Sequence, residues 1–463
     1  MPKPKNKIIV NKFGGGIMIK KHIPFSQERL NEQISAGYKP IVVVSALKGV
    51  TDEILLFLCH IKKKIRRNQR LGGSSEKYID SLIKPFVRAL SEKHLNLLEE
   101  VGVSRDWRKN AMDDLDKIFK NLENDLIILL RFGFMNLFDD KITAYGERLA
   151  SIFYAYYLKS LGIEARAVFA EEIPIITDDC FKNANIIFDI SEKNALKSIL
   201  NIKEIPVIPG FTGETLDGNT TTLGRGGTDT TACFLGAALK AEKVILWKDV
   251  EGVLSADPKI VKEAITVPFV SYAEAAESGK IIHDKAIQYI KMFQTTAEVA
   301  AITDPSKKTL VGPYVKRVKG AKIVSLKKDL SLLVITDDRM NGHGYLANIT
   351  RILTSHKVNL DITRNTRDKL LLVAENGDGK LDEAIHEIKK QVKKLEVTPV
   401  NMVVLIGSLD WKTVNRFNDI LIKLCPKTEL GAFPYRDCVR LEAVVKTEEM
   451  EKMVRALHKE FIG

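Results

Sequence analysis

Residues 210–229 read GFTGETLDGNTTTLGRGGTD. The apolar run Pro206–Phe211 enters this stretch as a strand, a long Gly/Thr loop follows, and an amphipathic run from Thr230 to Lys240 leaves it as a helix. Strand, glycine-rich loop and helix start, in that order, make up the repeating unit of a parallel α/β sheet, and the free N–H groups of the helix start attract an anion. Arg225 offers a planar fork suited to a carboxylate, and Asp229 can accept from an ammonium. An arginine, an aspartate and glycines on one loop are the equipment for holding an amino acid. The alternative is that Asp229 only caps the helix while Arg225 faces solvent.

The alternation extends in both directions. Strand candidates are Ile8–Val10, Pro40–Ala46, Arg166–Ala170, Ile186–Ile190, Pro206–Phe211 and Lys243–Asp249, with helices such as Gln27–Ser35, Thr143–Lys159 and Thr230–Lys240 between them. Several of the strands are continuously apolar, as expected where helices cover both faces of a sheet. The pattern predicts a largely parallel sheet with right-handed crossovers. Residues from about Glu76 to Asp139 are helical throughout and read as an insertion. The basic run HIKKKIRRNQR, residues 60–70, ahead of it reads as a solvated helix face or loop, or as a contact for an anionic partner.

After about residue 320 the rhythm changes. Ser331–Thr336, Val358–Thr363 and Lys369–Ala374 read as strands, His343–His356 and Leu381–Lys394 as helices, and Glu396–Val400 as an edge strand. That is the βαββαβ, ferredoxin-like order. It recurs more loosely as strand Met402–Ile406, helix Val414–Leu424, strands near Glu429–Phe433 and Val439–Val445, and helix Thr447–Lys459. The expected domains are therefore 1–315, 320–400 and 401–463.

Composition narrows the function classes. With 463 residues the chain is long enough for full cores without disulfide or metal staples. A net charge of +12 suits anionic ligands, but aromatics make up only 7%, so no base-stacking platform and no nucleic-acid partner are expected. No apolar run approaches the roughly 18 residues needed to span a bilayer, so no membrane partner is expected either. Five cysteines without a CxxC pair read as reduced thiols, and the N-terminus lacks a signal-peptide core; the expected compartment is the cytoplasm.

Directly after the first strand comes VNKFGGG, residues 10–16. Consecutive glycines at a strand end let backbone N–H groups approach a phosphate, with Lys12 as counter-charge; a tight structural turn is the other reading. It is neither a Walker A loop nor a complete GxGxxG fingerprint. VVVSALKGVTD (42–52), DKITAYGERL (140–149) and WKDVEGV (247–253) each put hydroxyls or carboxylates at strand ends or helix starts, the ligand edge of an open α/β sheet.

Together these motifs resemble the aspartokinases of the amino-acid-kinase superfamily. KFGG matches the opening of that family, VVVSALKGVTD its V-V-V-S-A-x-x-x-V-T-[ND], and Asp140 to Glu147 its D-x(6)-E ending in GERL. Residues 210–229 are near identical to G-F-x-G-x-T-x-D-G-x-T-T-T-L-G-R-G-G-S-D, and WKDVEGVLSADPKIV, YAEAAE and Lys280–His283 follow in family order. RALHKEF, residues 455–461, resembles the end of a second ACT module. The resemblance implies a three-layer, mostly parallel α/β kinase domain followed by two ACT modules. It implies ATP-dependent phosphorylation of the L-aspartate β-carboxylate, the first step of lysine, threonine and methionine biosynthesis, with Mg²⁺ carried in by ATP and no dedicated metal ligands. Lys12, Asp229 and Lys280 would be catalytic. Ser45, Thr51, Glu147, Arg225 and Asp229 would hold aspartate, and Lys12, Phe13, Gly14, Gly15, Lys248, Asp249, Lys259 and Lys280 the nucleotide.

In-line attack by a carboxylate needs no general base, because the nucleophile is ionised at neutral pH, so His283 is either a base or, better, a packed structural residue. The family usually has Thr or Ser at Gly16, Thr at Lys248, Tyr at Leu254, Arg at Lys259 and Pro at Asp284, and about four more residues between Glu277 and Lys280. These departures lie on the nucleotide side, and Gly16→Thr is expected to tighten ATP binding if the loop keeps its usual path. In the first ACT module the resemblance implies an effector loop containing Met340, Gly344, Tyr345 and Leu346, with Asp361, Asn365 and Thr366 nearby. The acidic Asp361 favours lysine over threonine as effector, and pairing of the modules implies a homodimer. Rival readings are a kinase for another small acid and a catalytically weak amino-acid sensor.

Overall fold

Continuously apolar runs build the centre of the first sheet: Ile8–Phe13 (β1) is buried along its whole length, and Lys39–Val44 (β2) from its second residue on. The computed structural model describes residues 7–67, 76–133, 136–278, 282–313, 320–340, 344–376, 379–426 and 439–463. It divides into two units, Met1–Val253 with Pro268–Tyr314, and Leu254–Val267 with Val315–Gly463.

The first unit continues from β1, α1 (Ile23–Ser35) and β2 through the helices α2 (Val50–Arg67), α3 (Glu76–Glu100), α4 (Arg105–Phe132), α5 (Asn136–Thr143) and α6 (Tyr145–Ser160). Then come β3 (Ala165–Ala167), α7 (Phe188–Ile199), β4 (Ile205–Pro209), the hairpin β5 (Thr212–Glu214) and β6 (Thr220–Thr222), α8 (Gly227–Ala238) and β7 (Lys243–Lys248). β8 (Phe269–Ser271), α9 (Tyr272–Ser278), α10 (Asp284–Met292), β9 (Thr296–Ala301) and β10 (Lys308–Gly312) complete it. The eight-stranded sheet has the order β3-β4-β2-β1-β7-β9-β10-β8 and is parallel except between β9 and β10.

Register decides where the site lies. Pro209, Val44, Phe13 and Trp247 stand side by side on β4, β2, β1 and β7. The residues that follow them, Gly210, Ser45, Gly14 and Lys248, therefore share the carboxyl edge, where open α/β sheets bind ligands. Helix α8 is pressed onto β7: a Cβ on Gly236 would come within 2.1 Å of Val244 Cγ2. The expected strand at Ile186–Ile190 is a correction. Ile186 makes only an isolated bridge to Thr177, and α7 begins at Phe188, burying Ser191, Ala195 and Ile199 at helical spacing.

In the second unit β11 (Gly320–Thr336) and β14 (Lys394–Ser408) pair antiparallel from end to end, from Gly320 opposite Ser408 to Thr336 opposite Lys394. The sheet order is β12 (Leu360–Asn365), β13 (Lys369–Glu375), β11, β14, β15 (Arg440–Val445). Helices α11 (Tyr345–Ser355) and α12 (Lys380–Lys389) cover one core built on Leu333, Ile335, Leu370 and Leu372. Helices α13 (Trp411–Leu424) and α14 (Thr447–Phe461) cover another built on Val324, Val403, Phe417 and Leu457. The two strands read as Glu396–Val400 and Met402–Ile406 are one strand; Asn401 between them is buried and donates to Thr447 Oγ1 at 3.1 Å. Residues 320–327, assigned by the sequence to the first module, pair with residues 402–408 and so join the second core. Leu254–Val267 also belongs here: Ala256, Ile260 and Val261 join that core, and Ser255 Oγ bonds His458 Nε2 at 2.9 Å. The expected strand Glu429–Phe433 lies outside the described residues. Among those described, no helix is long and apolar enough to cross a membrane.

Candidate active site

A cavity of about 780 Å³ opens at the carboxyl edge of the first sheet. It brings together Lys12 from β1, Ser45 after β2, Thr51 in the first turn of α2, and Arg225 and Asp229 from the loop into α8. That volume suits a small metabolite. Ser45 Oγ donates to Thr228 Oγ1 at 2.9 Å, tying the β2 end to the start of α8. Arg225 is exposed, and no hydrogen bond or ion pair engages its guanidinium among the described residues.

Asp229 is the electrostatic centre. Lys12 Nζ lies 2.7 Å from its Oδ1 and Lys248 Nζ 3.5 Å from its Oδ2. Burial works to raise the Asp229 carboxyl, but the charges and hydrogen bonds of the two lysines outweigh it and hold the pKa below its usual value. Burial, then the neighbouring Lys12 ammonium, depress the Lys248 pKa. The glycine loop turns back on itself, with Ile17 N–H donating to Gly14 O at 2.8 Å and Gly16 O facing His22 Nδ1 at 2.8 Å. Gly16 is packed against Asp249: a Cβ there would sit 3.0 Å from Asp249 Oδ2 and 3.2 Å from its Cγ. This bears on the expectation for Gly16→Thr, since the Asp249 carboxylate would have to give by a few tenths of an ångström to admit the added side chain.

Sequence reasoning missed the far wall of the cavity. Buried Asp139 binds Lys62 at 2.6 Å and Lys182 at 2.7 Å, so the basic run on α2 supplies a wall residue. Its neighbour Asp140 accepts from the backbone N–H groups of Lys182 and Thr222 at 2.8 and 2.7 Å, pinning β6 to α5. The adjacent acidic pair Asp139-Asp140, next to the GERL motif, was the available signal.

Glu147 does not line the cavity. It is buried behind Ala46, whose N–H donates to Oε1 at 3.2 Å, while Oε2 has no hydrogen-bond partner among the described residues. Burial pushes its pKa up to about 8, against the pull of the Ala46 N–H. His283 starts α10 and packs over Gly226, where a Cβ would come within 2.4 Å of it, so packing accounts for this histidine. Lys280 lies outside the described residues, and Lys259 belongs to the second unit.

In the second unit Met340, Gly344, Tyr345, Leu346 and Asn365 line one cavity of about 480 Å³. Thr366 instead holds the β12–β13 turn through Lys369 O. Asp361 is already paired: Lys327 Nζ reaches its two oxygens at 2.7 and 2.9 Å and also Glu375 at 2.8 Å. An internal ammonium thus occupies the carboxylate on which the preference for lysine rested.

The carboxyl edge of the parallel sheet thus joins a glycine turn, a paired lysine and a helix start beside a cavity with an exposed guanidinium, an arrangement able to hold anionic groups. The amino acid kinase family model matches residues 7–300, and the chain belongs to that family. Aspartokinase 1, chloroplastic, of Arabidopsis thaliana is 25% identical over 98% of this chain and 80% of its own length. Aspartokinase 1 of Bacillus subtilis (strain 168) is 36% identical over 66% of this chain and 60% of its own. In fold, E. coli aspartokinase III in complex with lysine and aspartate superposes with a TM-score of 0.80 at 21% identity, covering 99% of this chain and 100% of that one.

Two predictions follow from the site's electrostatics and packing. Because folded Glu147 keeps its proton to about pH 8 while the unfolded chain loses it near 4.5, the native state binds more protons between these values. Its contribution to stability therefore falls as pH rises from about 4.5 to 8 and then levels off. Thermal unfolding should show Glu147→Gln more stable than the parent by roughly 2–5 kcal/mol at pH 8.5, with little difference at pH 4.5; a pH-independent difference would contradict the buried, protonated carboxyl. Gly16→Thr should weaken ADP binding about threefold or more in calorimetry, as Asp249 is displaced; tighter binding would show that the loop yields instead.

Proposed function

We propose that this chain is an aspartate kinase, transferring the γ-phosphoryl group of ATP to the β-carboxylate of L-aspartate to give 4-phospho-L-aspartate. The observation that carries the reading is that Lys12 and Arg225, a phosphate cation and a carboxylate fork, line one cavity with Asp229 between strand and helix. Relatives named aspartokinase along nearly the whole chain support it, as does the fold shared with E. coli aspartokinase III in complex with aspartate and ADP, with a TM-score of 0.79.

In this mechanism Arg225 grips an aspartate carboxylate while Ser45 and Thr51 offer hydroxyls to it. Glu147, assigned to the ammonium by the resemblance, is buried behind Ala46 outside the cavity lining and shapes the site through the Ala46 N–H instead. The ionised β-carboxylate attacks phosphorus in line, and the bond to the bridging oxygen breaks, leaving its electron pair on ADP. Lys12, with the amides of Gly14 and Gly15, compensates the negative charge on the transferring group; Phe13 anchors the turn in the core. Lys248 and Asp249 form the nucleotide side in this reading. Among the described residues no three metal-ligating side chains converge, and Mg²⁺ is taken to enter on the phosphates of ATP.

The product class makes the reaction the entry to lysine, threonine and methionine synthesis, carried out in the cytoplasm by a homodimer formed through residues after about 320. The cavity at Met340–Leu346 and Asn365 takes an amino-acid effector, lysine or threonine, whose different affinity for two arrangements of the enzyme would change activity.

Trapping the acyl phosphate with hydroxylamine tests the activity. Lys12→Met should lower kcat about 100-fold or more with the aspartate KM little changed, and Arg225→Ala should raise that KM about tenfold or more. Equal, small effects of both on an active enzyme would refute the site assignment. For the effector cavity, Lys327→Met frees Asp361 and should increase inhibition by lysine but not by threonine. A lysine response abolished by Asp361→Ala in the parent would instead mean that the ligand displaces Lys327.

A further inference from the structure

Lys248 is a second ammonium on the carboxylate that holds Lys12. It ends β7, the parallel neighbour of β1, with Leu246 standing opposite Lys12. The two lysines take different oxygens of Asp229, at 2.7 Å for Lys12 and 3.5 Å for Lys248. Lys12 and Asp229 already make a close, neutral, buried pair. Lys248 adds like charge to it, at a longer distance, in a place where desolvation disfavours the charged form.

The next residue, Asp249, also acts on Lys248 with its charge, but among the described residues Asp229 is the carboxylate within ion-pair distance of both lysines. The two ammonium groups thus share one partner at the carboxyl edge, beside the first turn of α8, whose N–H groups and dipole add to the positive potential. Across from it lies the glycine turn that follows β1. One half-satisfied ammonium, one paired ammonium, a helix start and a glycine turn converge on a multiply charged anion.

Building on the kinase reading, we propose that Lys248 is a further catalytic residue that contacts the polyphosphate of the nucleotide together with Lys12. The transferring group is then held by lysines from two adjacent strands, with Asp229 fixing both. As the new oxygen–phosphorus bond forms and the bond to the bridging oxygen breaks, the electron pair moves onto the departing diphosphate. A second ammonium stabilises that charge and no proton changes hands.

The test uses the full chain and Lys248→Met, Lys248→Arg and the parent. Lys248→Met should lower kcat about 10- to 100-fold and weaken binding of ADP and of inorganic tripolyphosphate about tenfold, with the aspartate KM within about twofold. Because the substitution removes a like-charge repulsion, its melting temperature should equal or exceed that of the parent. Lys248→Arg should retain most activity and keep it at alkaline pH, where the parent declines as its ammonium deprotonates. Unchanged kcat and unchanged phosphate affinity in Lys248→Met would overturn the proposal, as would equal losses in the Met and Arg variants with both folded. If the parent makes no acyl phosphate, the kinase reading fails by itself, and the tripolyphosphate titration still decides whether Lys248 binds phosphate.

Discussion

One carboxylate, that of Asp229, holds two ammonium groups that would otherwise repel each other inside the protein. The rest of the first unit exists in the geometry that makes this possible. Parallel pairing of β1 with β7 brings Lys12 and Lys248 to one edge, and the tight seat of Gly236 on Val244 sets α8 close enough for its first turn to reach both. Asp140, by accepting from the Lys182 and Thr222 amides, fixes the hairpin that leads into that turn. A buried ion cluster is costly to assemble unless its members are pre-positioned, and here each is placed by a strand end or a helix start rather than by a free loop.

What could be read from sequence follows from how local the information is. Lys12, Ser45, Thr51, Arg225 and Asp229 were legible because each sits in a short motif at the junction of a strand and a helix, and the cavity gathers all five. The Lys62–Asp139–Lys182 wall was not, because it joins residues 77 and 43 positions apart whose ion pairs leave no local pattern. The same holds for Asp249 against Gly16 and for Lys327 on Asp361: a residue that looks available in sequence is occupied by a distant partner. Secondary structure failed where chemistry was ambiguous over a few residues, as in the apolar Ile186–Phe188 before α7 and at buried Asn401 within β14.

The second unit departs from a simple tandem of modules. Two long strands, β11 and β14, run through both cores, so neither core can lose its strands without the other. The segment Leu254–Val267 is part of this unit although the chain on either side of it belongs to the first. Through Ser255 and His458, and through Ile260 and Val261 in the core, a segment that begins five residues after Asp249 is anchored in the core of the second unit.

The most direct measurement is a crystal structure of this chain with Mg²⁺, ADP and L-aspartate. The account predicts the diphosphate lying between the Lys12 and Lys248 ammonium groups, with an aspartate carboxylate on Arg225. A nucleotide whose phosphates lie away from Asp229, with both lysines still paired only to that carboxylate, would contradict it.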